Sequence, residues 1–392
     1  MLERIKNITI LFIIFIGYLN AKVVIEDGKG VDRWKVVVGE EGDIKSVFDD
    51  ELNSTVIEFL GGGSYKLGAT QKDKALNIKN EKFISWQMSV EIPYTIYIIA
   101  NTKFGLRYIF YVSTHSRGLK HGLENGIHHG LGENTISGRW IRVTRDLQRD
   151  IKDAEPENSL IAINGFIFNG GNGARLDNLI AYTPKEITYL SEPKKISYLD
   201  INNSKFKIFQ WSFKGFGNAR IIDTRGVVED PKAFEFIIGV DTKKGKRELL
   251  YTLGTTNLGL IDNKTIHHAL GDDRTIGAVW VEDYPRNKLG LWQGVTRDLN
   301  EDIKDFEIDN SLVKVLYFKV KGDGKVRDVK MFSSPDDDIN ATEMNSTQTE
   351  DSNSTCKSSQ SGIAIDKTTI YMIVALYIIL LIHNREDLVW EK

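Results

Sequence analysis

An internal repeat constrains the fold of this chain more than any other feature of its sequence. The segment Trp140–Leu147 (WIRVTRDL) returns as Trp292–Leu299 (WQGVTRDL), offset by 152 positions (292 minus 140), and the DIKD and NSL sequences that follow each segment keep the same spacing. Upstream, Ile127–Gly132 (IHHGLG) matches Ile266–Gly271 (IHHALG) at an offset of 139 (266 minus 127). This period is too long for a solenoid unit, so the sequence predicts two copies of a whole domain.

Each copy has the pattern of short β-strands. Apolar and polar residues alternate along Leu106–Val112 and again along Leu316–Lys321, which is the period-2 pattern of a strand with two different faces. Gly, Asn and Asp separate such runs, as turns require. Long helical crossovers are missing, which disfavours a parallel α/β fold. The sequence therefore predicts an all-β protein made of two tandem β-sandwich domains.

The only helical pattern in each copy is brief. Leu147 and Ile151 lie four residues apart, on one face of a short helix, and Thr144 is a candidate N-cap. The second copy repeats these positions as Leu299, Ile303 and Thr296. The carboxylates Asp146 and Asp150 fall on the same short helix, where we expect them to be solvated rather than catalytic.

The N-terminus is typical of an exported protein. Arg4 and Lys6 precede the apolar run Ile8–Tyr18, so residues 1–21 are predicted to be a secretory signal peptide, with an uncleaved N-terminal anchor as the alternative. Exported proteins meet conditions in which disulfides form. Cys356 is nevertheless the only cysteine, so the domains have to be stable by burial alone.

The C-terminus predicts a stalk and a membrane anchor below the two sandwiches, which are assigned to residues 22–184 and 185–332. Residues 333–367 are rich in Ser, Thr, Asn and Asp and cannot bury enough apolar surface to order, so they predict a disordered stalk. Residues 368–383 are apolar and close to the lower limit of about 17 residues for a transmembrane helix. Residues 384–392 would be a short cytoplasmic tail, which places the domains in the periplasm or on the cell surface.

Five asparagines fit an extended glycosylation pattern. Asn340, Asn345 and Asn353 in the stalk begin Asn-x-Ser/Thr sequences with an acidic residue two positions earlier, and Asn53 and Asn202 share this feature. The pattern resembles the acceptor sequence of bacterial periplasmic oligosaccharyltransferases. Chance occurrence in a stretch rich in these residues is the alternative. Glycans at the stalk sites would solvate and stiffen it.

Tryptophans are the first candidates for ligand contacts. A flat aromatic ring on a sandwich face stacks well on the apolar face of a sugar ring. Trp86 and Trp211 lie near strand patterns and are candidate ligand-binding residues, with a position in the core as the alternative. For Trp140 and Trp292, which belong to the repeated segment, we favour the core.

A pair of histidines recurs at equivalent places in both copies. Neighbouring side chains on a strand point to opposite faces, so at most one member of each pair can serve a single site. We select His128 and His267 as candidate ligand-binding residues. Packing beneath the rim of the sandwich is the favoured alternative to a metal-binding or catalytic role.

Composition and motifs exclude several classes of function. The formal net charge is -3 and the charges are interspersed, so no nucleic-acid partner is predicted. The sequence has no H-E-x-x-H motif, and no helix follows its glycine-rich turns as a phosphate site would require. No catalytic residue and no cofactor are predicted, except that Asp177 and Asp328 in Gly-rich turns could hold structural Ca²⁺. Simple hairpins are the alternative explanation of these turns.

A set of short motifs in the first copy carries a resemblance to a known class of domain. They are Val56–Phe59 (VIEF), Gly61–Gly63, Ser64–Gly68 (SYKLG), Phe83–Trp86 (FISW), Arg107–Tyr111 (RYIFY), the HHGLG stretch, Trp140–Leu147 and Leu176–Asn178. Together they resemble the jelly-roll, carbohydrate-binding-module-like domains of exported bacterial cell-surface proteins. The resemblance covers most of residues 22–183 and 195–332 and implies two tandem jelly-roll domains. The second copy lacks a counterpart of Gly61–Gly63, so the same ligand is not implied for both.

These features lead to one functional hypothesis and two alternatives. The leading hypothesis is a membrane-tethered extracytoplasmic binding protein that recognises glycan or an envelope protein. The first alternative is a polysaccharide lyase or hydrolase on a β-sandwich scaffold. The second is a structural spacer of the envelope without a ligand.

Overall fold

The structure is a computed structural model that describes most of the predicted β-sandwich region. The described residues are 22–40, 44–68, 75–113, 117–119, 125–215, 235–252, 257–270 and 292–337. All of them belong to one compact unit, Met1–Thr342. The predicted signal peptide, anchor and tail, most of the stalk, and Asn340, Asn345 and Asn353 lie outside the described residues. Within those ranges, no helix is long and apolar enough to cross a bilayer.

The first half of the described chain forms two sheets. Its strands are β1 (Lys22–Glu26), β2 (Lys35–Val38), β3 (Ile44–Asp49), β4 (Ser54–Phe59), β5 (Gly62–Gly68), β6 (Phe83–Ser89), β7 (Thr95–Thr102), β8 (Gly105–Val112), β9 (Arg117–Leu119), β10 (Gly126–Gly130), β11 (Ile141–Asp146), β12 (Leu160–Gly171) and β13 (Ala174–Tyr182). Sheet A has the order β11-β6-β13-β4-β3, with β1 beside β13. Sheet B has the order β2-β5-β12-β7-β8-β10-β9.

The second half forms two further sheets. Its strands are β14 (Glu186–Leu190), β15 (Tyr198–Asn203), β16 (Ile208–Gly215), β17 (Glu235–Thr242), β18 (Gly245–Thr252), β19 (Gly259–Leu260), β20 (Thr265–Ala269), β21 (Gln293–Asp298), β22 (Leu312–Lys321) and β23 (Gly324–Phe332). Sheet C has the order β14-β23-β16-β21, and sheet D the order β15-β22-β17-β18-β20-β19. The all-β class is thus confirmed, while a jelly-roll topology for each half stays a prediction.

The sequence repeat reappears in the strand pairing. In sheet B, β8 and β10 pair in parallel, with Tyr111 opposite His129. In sheet D, β18 and β20 pair in parallel, with Tyr251 opposite His268. A parallel pair next to antiparallel ladders is a distinctive arrangement, and its recurrence brings the same side chains together in both halves.

Two short α-helices follow the repeated strands, α1 (Leu147–Ala154) after β11 and α2 (Leu299–Lys304) after β21. Leu147, Ile151, Leu299 and Ile303 are fully buried, which confirms the predicted apolar helix face. The predicted N-caps are wrong. Thr144 and Thr296 lie inside strands, because each strand runs two residues further than expected. The caps are Asp146, which accepts a hydrogen bond from the Arg149 amide, and Asp298, which accepts from Asn300 and Glu301.

Each half encloses its own apolar core between its two sheets. Strand alternation creates these cores: Phe166 and Phe168 of β12 point inward and are fully buried, whereas Ile167 between them is only half-buried. Burying an aromatic or aliphatic side chain of this size contributes about 1.5–3 kcal/mol. The largest fully buried side chains are Trp86, Trp211, Tyr65, Tyr111, Tyr251, Phe59, Phe166, Phe168, Phe209, Phe213, Phe236 and Phe318. Burial on this scale explains how both halves fold without a disulfide.

The two halves meet along a separate apolar cluster. It consists of Phe83, Ile180, Tyr182, Ile208 and Phe332. The rings of Phe83 and Phe332 lie 4.9 Å apart, centroid to centroid. Between the halves, Arg149 of α1 also donates a hydrogen bond of 2.7 Å to the backbone oxygen of Trp211. Apolar packing and polar contacts therefore both join the halves.

Candidate functional site

The two tryptophans selected as sugar-stacking residues lie in the cores. Trp86 and Trp211 are each 0% exposed. They occupy the same register position, opposite Val143 and Val295 respectively. The Trp86 ring packs 5.6 Å from Tyr111. No ring face is open to a ligand, so the prediction that these residues stack on sugar is wrong; they are core residues because their strand positions face the opposite sheet.

The two tryptophans expected in the core are nearer the surface. Trp140 and Trp292 are only half-buried. The guanidinium of Arg327 lies 4.3 Å above the centre of the Trp292 ring, a cation–π contact. Trp140 lies near the carboxylate of Asp49 and contributes, with Leu52 and Arg175, to lowering the pKa of that group. Both rings precede the repeated strands rather than lying within them, which explains why the repeat pattern did not predict their burial.

The histidine pairs divide between the two faces of their strands, as expected. His129 and His268 point into the halves, and His128 and His267 point to the other side. His267 is 0% exposed: its Nε2 lies 2.7 Å from the Thr252 hydroxyl, and its Nδ1 accepts from the Leu258 amide at 3.1 Å. Burial lowers the pKa of His267 to about 4, so this ring is neutral. His267 is therefore a structural residue, contrary to its selection as a ligand-binding residue.

The remaining candidates lie on the surface. His128 is half-buried on the outward face of sheet B, with its ring 6.1 Å from that of Phe110. Asn53 and Asn202 are both exposed, and both have a positive φ, 51° and 49°. Asparagine is one of the few residues that adopt this backbone conformation readily. Their side chains are accessible, as glycosylation requires.

A buried polar network occupies the end of the first core. Arg145 donates to both carboxylate oxygens of Asp150, Nε to Oδ2 at 2.9 Å and Nη2 to Oδ1 at 2.5 Å. The Tyr111 hydroxyl donates to the same carboxylate at 2.5 Å. His129 stacks on Tyr111 and places Nε2 3.1 Å from the backbone oxygen of Asp150. Arg145 and Tyr111 thus bind the Asp150 carboxylate, and His129 lies against the backbone oxygen of the same residue.

The second half contains the same network. Arg297 donates through Nε to Asp302 Oδ2 at 2.9 Å and also bonds Oδ1 through Nη2. The Tyr251 hydroxyl donates to Asp302 Oδ2 at 2.6 Å. His268 stacks on Tyr251, and its Nε2 lies 2.9 Å from the backbone oxygen of Asp302. Duplication of all four residues explains why the sequence repeat includes the Arg-Asp and Asp-Ile-Lys-Asp segments.

The electrostatics of these networks are those of buried ion pairs. Burial alone would raise the pKa of Asp150, but the adjacent Arg145 outweighs it and the pKa is lowered to about 2. Burial and the Asp150 charge raise the pKa of Tyr111 well above its usual value, so its hydroxyl keeps the proton it donates. The expectation that Asp150 is solvated is wrong, because an arginine five residues earlier permits its burial. The charged groups of the network are paired with each other, so it offers no free acid or base.

A small polar cleft lies between the two halves. Its volume is about 70 Å³, and its lining includes Arg142 and Arg145 of the first half and Asp298, Asp302 and Asp305 of the second. Loss of hydration and the nearby Glu301 raise the pKa of Asp298 to about 7. Loss of hydration and the charge of Asp302 raise that of Asp305 to about 7 as well. The cleft has room for a few water molecules but not for a sugar ring.

A much larger groove lies on the outward face of sheet D. Its volume is about 760 Å³. Strands β17, β18, β20 and β22 and the turn before β20 form it, and it is lined by Val240, Lys246, Arg247, Glu248, Asp262, Asn263, Lys264, Thr265, Leu316 and Tyr317. This volume is within the range of about 300–1,000 Å³ typical of small-ligand sites. We call this surface the sheet D groove.

Tyr317 is the aromatic residue of the sheet D groove, and its contacts fix its position. Its hydroxyl donates to Glu248 at 2.5 Å. The ammonium of Lys319 bonds the same carboxylate at 3.2 Å and lies 4.4 Å from the centre of the Tyr317 ring. Beside the groove, the ring of Tyr198 lies 5.6 Å from that of Tyr317 and is 52% exposed. The groove therefore combines aromatic surface with charged hydrogen-bonding groups.

The rim of the sheet D groove is held by a side chain–backbone turn. Asp262 Oδ1 accepts from the amides of Lys264 and Thr265, both at 2.7 Å. Across the groove, Arg247 is bound by Glu307 in a two-point ion pair, with bonds of 2.8 and 2.7 Å. These contacts hold the polar groups in fixed positions, so a ligand bound there would not have to order them.

The equivalent face of the first half is built differently. Tyr317 corresponds to Gly165, by the offset of 152, and Gly239 lies opposite Tyr317 where Ile99 lies opposite Gly165. The large and small residues have thus exchanged strands between the two copies. The face of sheet B instead carries Tyr97, whose ring packs 4.5 Å from Phe110. The sheet D groove therefore belongs to the second half alone among these two described faces. The alternation of Leu316–Lys321 in the sequence indicated which residues of this strand face outward, but it did not select Tyr317 as a candidate site residue.

Comparison of the chain with protein families and with curated proteins gives no match. Among solved structures, it is similar to the family 11 carbohydrate-binding module of the cellulosomal cellulase Lic26A-Cel5E of Clostridium thermocellum, at 16% identity over 41% of this chain and 94% of that chain, with a TM-score of 0.23. It is also similar to PNGase F, a glycosylasparaginase from Flavobacterium meningosepticum, at 12% identity over 76% of this chain and 96% of that chain, with a TM-score of 0.20. These values are too low to bear on the ligand or activity of this chain.

Proposed function

We propose that the protein is a membrane-tethered extracytoplasmic binding protein that recognises a glycan through the sheet D groove. The observation that carries this proposal is the composition of the groove: about 760 Å³ of open space beside the Tyr317 ring, lined by charged and amide side chains. Sugars are bound in this way, with the apolar face of a pyranose on an aromatic ring and the hydroxyls on planar polar groups.

Individual residues of the groove have distinct parts in this proposal. Tyr198 and Tyr317 supply the aromatic surface, and Glu248 accepts hydrogen bonds from sugar hydroxyls. Lys246 and Lys264 are exposed at the rim and would attract acidic substituents such as carboxylates. The lining contains Lys246, Arg247 and Lys264 against Glu248 and Asp262, a small excess of positive charge that favours an acidic over a neutral glycan.

The tether is part of the same proposal. A cleaved signal at residues 1–21 and an anchor at 368–383 would leave the sandwiches outside the cytoplasm, joined to the membrane by the stalk of residues 333–367. Glycans on Asn340, Asn345 and Asn353 would keep that stalk extended. A binding module on a flexible stalk searches a volume set by the stalk length, and many copies in one membrane bind a polymer with avidity.

A binding assay with a matched control tests the proposal. The purified full chain is applied to an array of neutral and acidic envelope polysaccharides, beside the variants Tyr317→Leu and Tyr97→Leu. We expect Tyr317→Leu to lose about tenfold or more in affinity, equivalent to about 1.4 kcal/mol, and Tyr97→Leu on sheet B to bind as the wild type. Absence of any retained glycan would favour the spacer function, and equal binding by both variants would place the site elsewhere.

A second candidate function, a polysaccharide lyase or hydrolase, has one observation in its favour. Asp298 and Asp305 have pKa values of about 7 in the cleft between the halves, where a carboxyl group could exchange protons near neutral pH. The cleft volume of about 70 Å³ disfavours this function. Incubation with uronic-acid polymers distinguishes the two functions, because a lyase releases unsaturated products that a binding protein does not.

A further inference from the structure

Three potential metal ligands meet in the second half beside the cleft. His268, Asp302 and Asp305 each offer one ligand atom, and these atoms all lie within 4.8 Å of one another. His268 and Asp302 are 0% and 4% exposed, and the Asp305 side chain is 10% exposed. In the part of the chain that the structure describes, no other group of three histidine, cysteine or carboxylate side chains comes together in this way.

The protonation of His268 follows from its one hydrogen bond. Nε2 lies 2.9 Å from the backbone oxygen of Asp302. A carbonyl oxygen only accepts, so Nε2 carries the hydrogen, and the lone pair of the neutral ring is on Nδ1. Nδ1 is buried and has no hydrogen-bond partner. Leaving a buried polar atom unpaired costs about 1–3 kcal/mol, so this nitrogen needs an explanation.

The arrangement of His268 is that of a metal ligand. Histidines that bind metals commonly donate one ring N–H to a backbone carbonyl or a carboxylate, which fixes the ring and leaves the other nitrogen for the ion. Here the carbonyl belongs to Asp302, so the ring is held by the same residue that supplies the neighbouring carboxylate.

Both carboxylates retain lone pairs for an ion. Asp302 Oδ2 accepts from Arg297 and Tyr251, and Asp302 Oδ1 accepts from Nη2 of Arg297. Asp305 Oδ2 accepts from Asn134 of the first half, and Asp305 Oδ1 lies 3.8 Å from Arg139. An ionised carboxylate has about four lone-pair positions, so each group can serve an ion without losing these partners.

The first half shows what the same network looks like without a third ligand. His129 and Asp150 repeat the geometry of His268 and Asp302. Asp153 is the counterpart of Asp305, by the offset of 152, but its Oδ1 accepts from the amide of Gly294 at 3.1 Å. Asp153 therefore serves the contact between the halves and does not join the histidine and the aspartate.

We propose that His268, Asp302 and Asp305 bind one divalent transition-metal ion of the zinc type, through Nδ1 of the histidine and one oxygen of each carboxylate. Zinc sits about 2.0–2.2 Å from such donors, so donors in a tetrahedral arrangement lie about 3.4 Å apart. The three ligand atoms, which lie within 4.8 Å of one another, have to approach by up to about 1.4 Å. One nitrogen with two oxygens suits zinc better than calcium, which takes six to eight oxygens.

The position of the site gives the ion a role. Asn134 and Arg139 of the first half both contact Asp305 of the second half. An ion held by Asp305 would therefore fasten the two halves, and water from the adjacent cleft would complete its coordination. The site is structural in this proposal and does not depend on the glycan function of the sheet D groove.

Zinc binding by the purified full chain tests the proposal. The protein is prepared without a polyhistidine tag and treated with a chelator to remove bound metal. It is then titrated with Zn²⁺ in a calorimeter. We expect one ion per chain. We expect Asp305→Asn, which keeps the hydrogen bond with Asn134, to weaken binding at least tenfold, and Asp153→Asn in the first half to change it less than twofold.

Two results would overturn the site. One is the absence of stoichiometric zinc binding by the wild type; the other is an equal effect of Asp305→Asn and Asp153→Asn. A measurement on the wild type alone guards against a misfolded variant: nitrogen NMR should show a zinc-dependent shift of Nδ1 in a histidine whose Nε2 keeps its hydrogen. Histidine resonances that do not change at saturating zinc would reject the proposal.

Discussion

Tyr317 lies directly over Gly239 of the neighbouring strand, so closely that a Cβ on the glycine would stand 2.2 Å from the ring carbon Cζ. The two residues are paired in register between β22 and β17. No residue larger than glycine fits beneath the ring in this position. The orientation of the principal aromatic residue of the sheet D groove thus depends on the absence of a side chain on the adjacent strand.

This dependence leads to a prediction about Gly239→Ala. The added methyl group has to displace the Tyr317 ring, which can rotate away because it is the free end of a side chain. We expect about a tenfold loss of glycan affinity with a destabilisation of only about 1–2 kcal/mol, measured by calorimetry and urea unfolding. Gly62→Ala is the control, because a Cβ at Gly62 meets nothing within 4 Å. Unchanged glycan affinity in Gly239→Ala would show that Tyr317 does not contact the ligand.

The buried networks predict a large cost for removing one charge. Asp150→Asn leaves the Arg145 guanidinium in the interior without its partner, which costs about 3–5 kcal/mol of unfolding free energy. The comparison is Asp27→Asn, whose partner Lys29 has a side chain that is 65% exposed, and where the expected change is below about 1 kcal/mol. Equilibrium unfolding in urea measures both. Similar values for the two variants would show that the network does not stabilise the fold.

The cleft predicts a specific dependence of stability on pH. The pKa of Asp298 is raised to about 7 in the folded protein from an ordinary value of 3.8, so the folded state binds the proton more tightly. Its contribution to stability is complete below about pH 4 and is lost as the pH rises to 7. Asp298→Asn keeps a capping side chain but cannot ionise, so its unfolding free energy should fall less over this range.

Measurements of the same pH series in the presence of a chelator separate this effect from metal binding. Asp323→Asn is the control, since its carboxylate is exposed and pairs with Lys195 on the surface. That variant should follow the wild-type curve. An Asp298→Asn curve parallel to the wild type would mean that Asp298 does not titrate in this window.

The tether predicts where the protein is found in fractionated cells. A chain that ends after Lys367 lacks the apolar segment and should move from the membrane fraction to the soluble extracytoplasmic fraction. Cys356→Ser, in the stalk, should stay with the membrane, because the proposed attachment does not use a disulfide or a lipid on that cysteine. Recovery of the truncated chain with the membrane would contradict an anchor at residues 368–383.

The fold class could be predicted from the sequence because its signals are local. Alternation along Leu316–Lys321 and the four-residue spacing of Leu147 and Ile151 need no knowledge of distant residues. The tryptophans illustrate the limit. Whether Trp86 or Trp140 is buried depends on which strand face meets the opposite sheet, and residue type alone does not determine this.

The polar sites needed the register between strands. The sequence predicts that Asp150 is exposed to solvent, because carboxylates on a short helix usually are. The bidentate contact with Arg145 explains its burial instead. The recurrence of Arg145 and Asp150 as Arg297 and Asp302 was the available signal. Likewise, Gly239 and Tyr317 are far apart in sequence, and their contact follows only from the pairing of β17 with β22.

The two halves have the same buried polar network but different outer surfaces. The arginine–aspartate–tyrosine–histidine network is present twice with the same contacts, whereas the outward faces of sheets B and D exchange large and small residues. The residues of the buried network are thus the same in both copies, whereas the residues of the outer sheet faces differ. Substitutions on either outer face therefore need not disturb the buried network behind it, so the two surfaces can diverge independently.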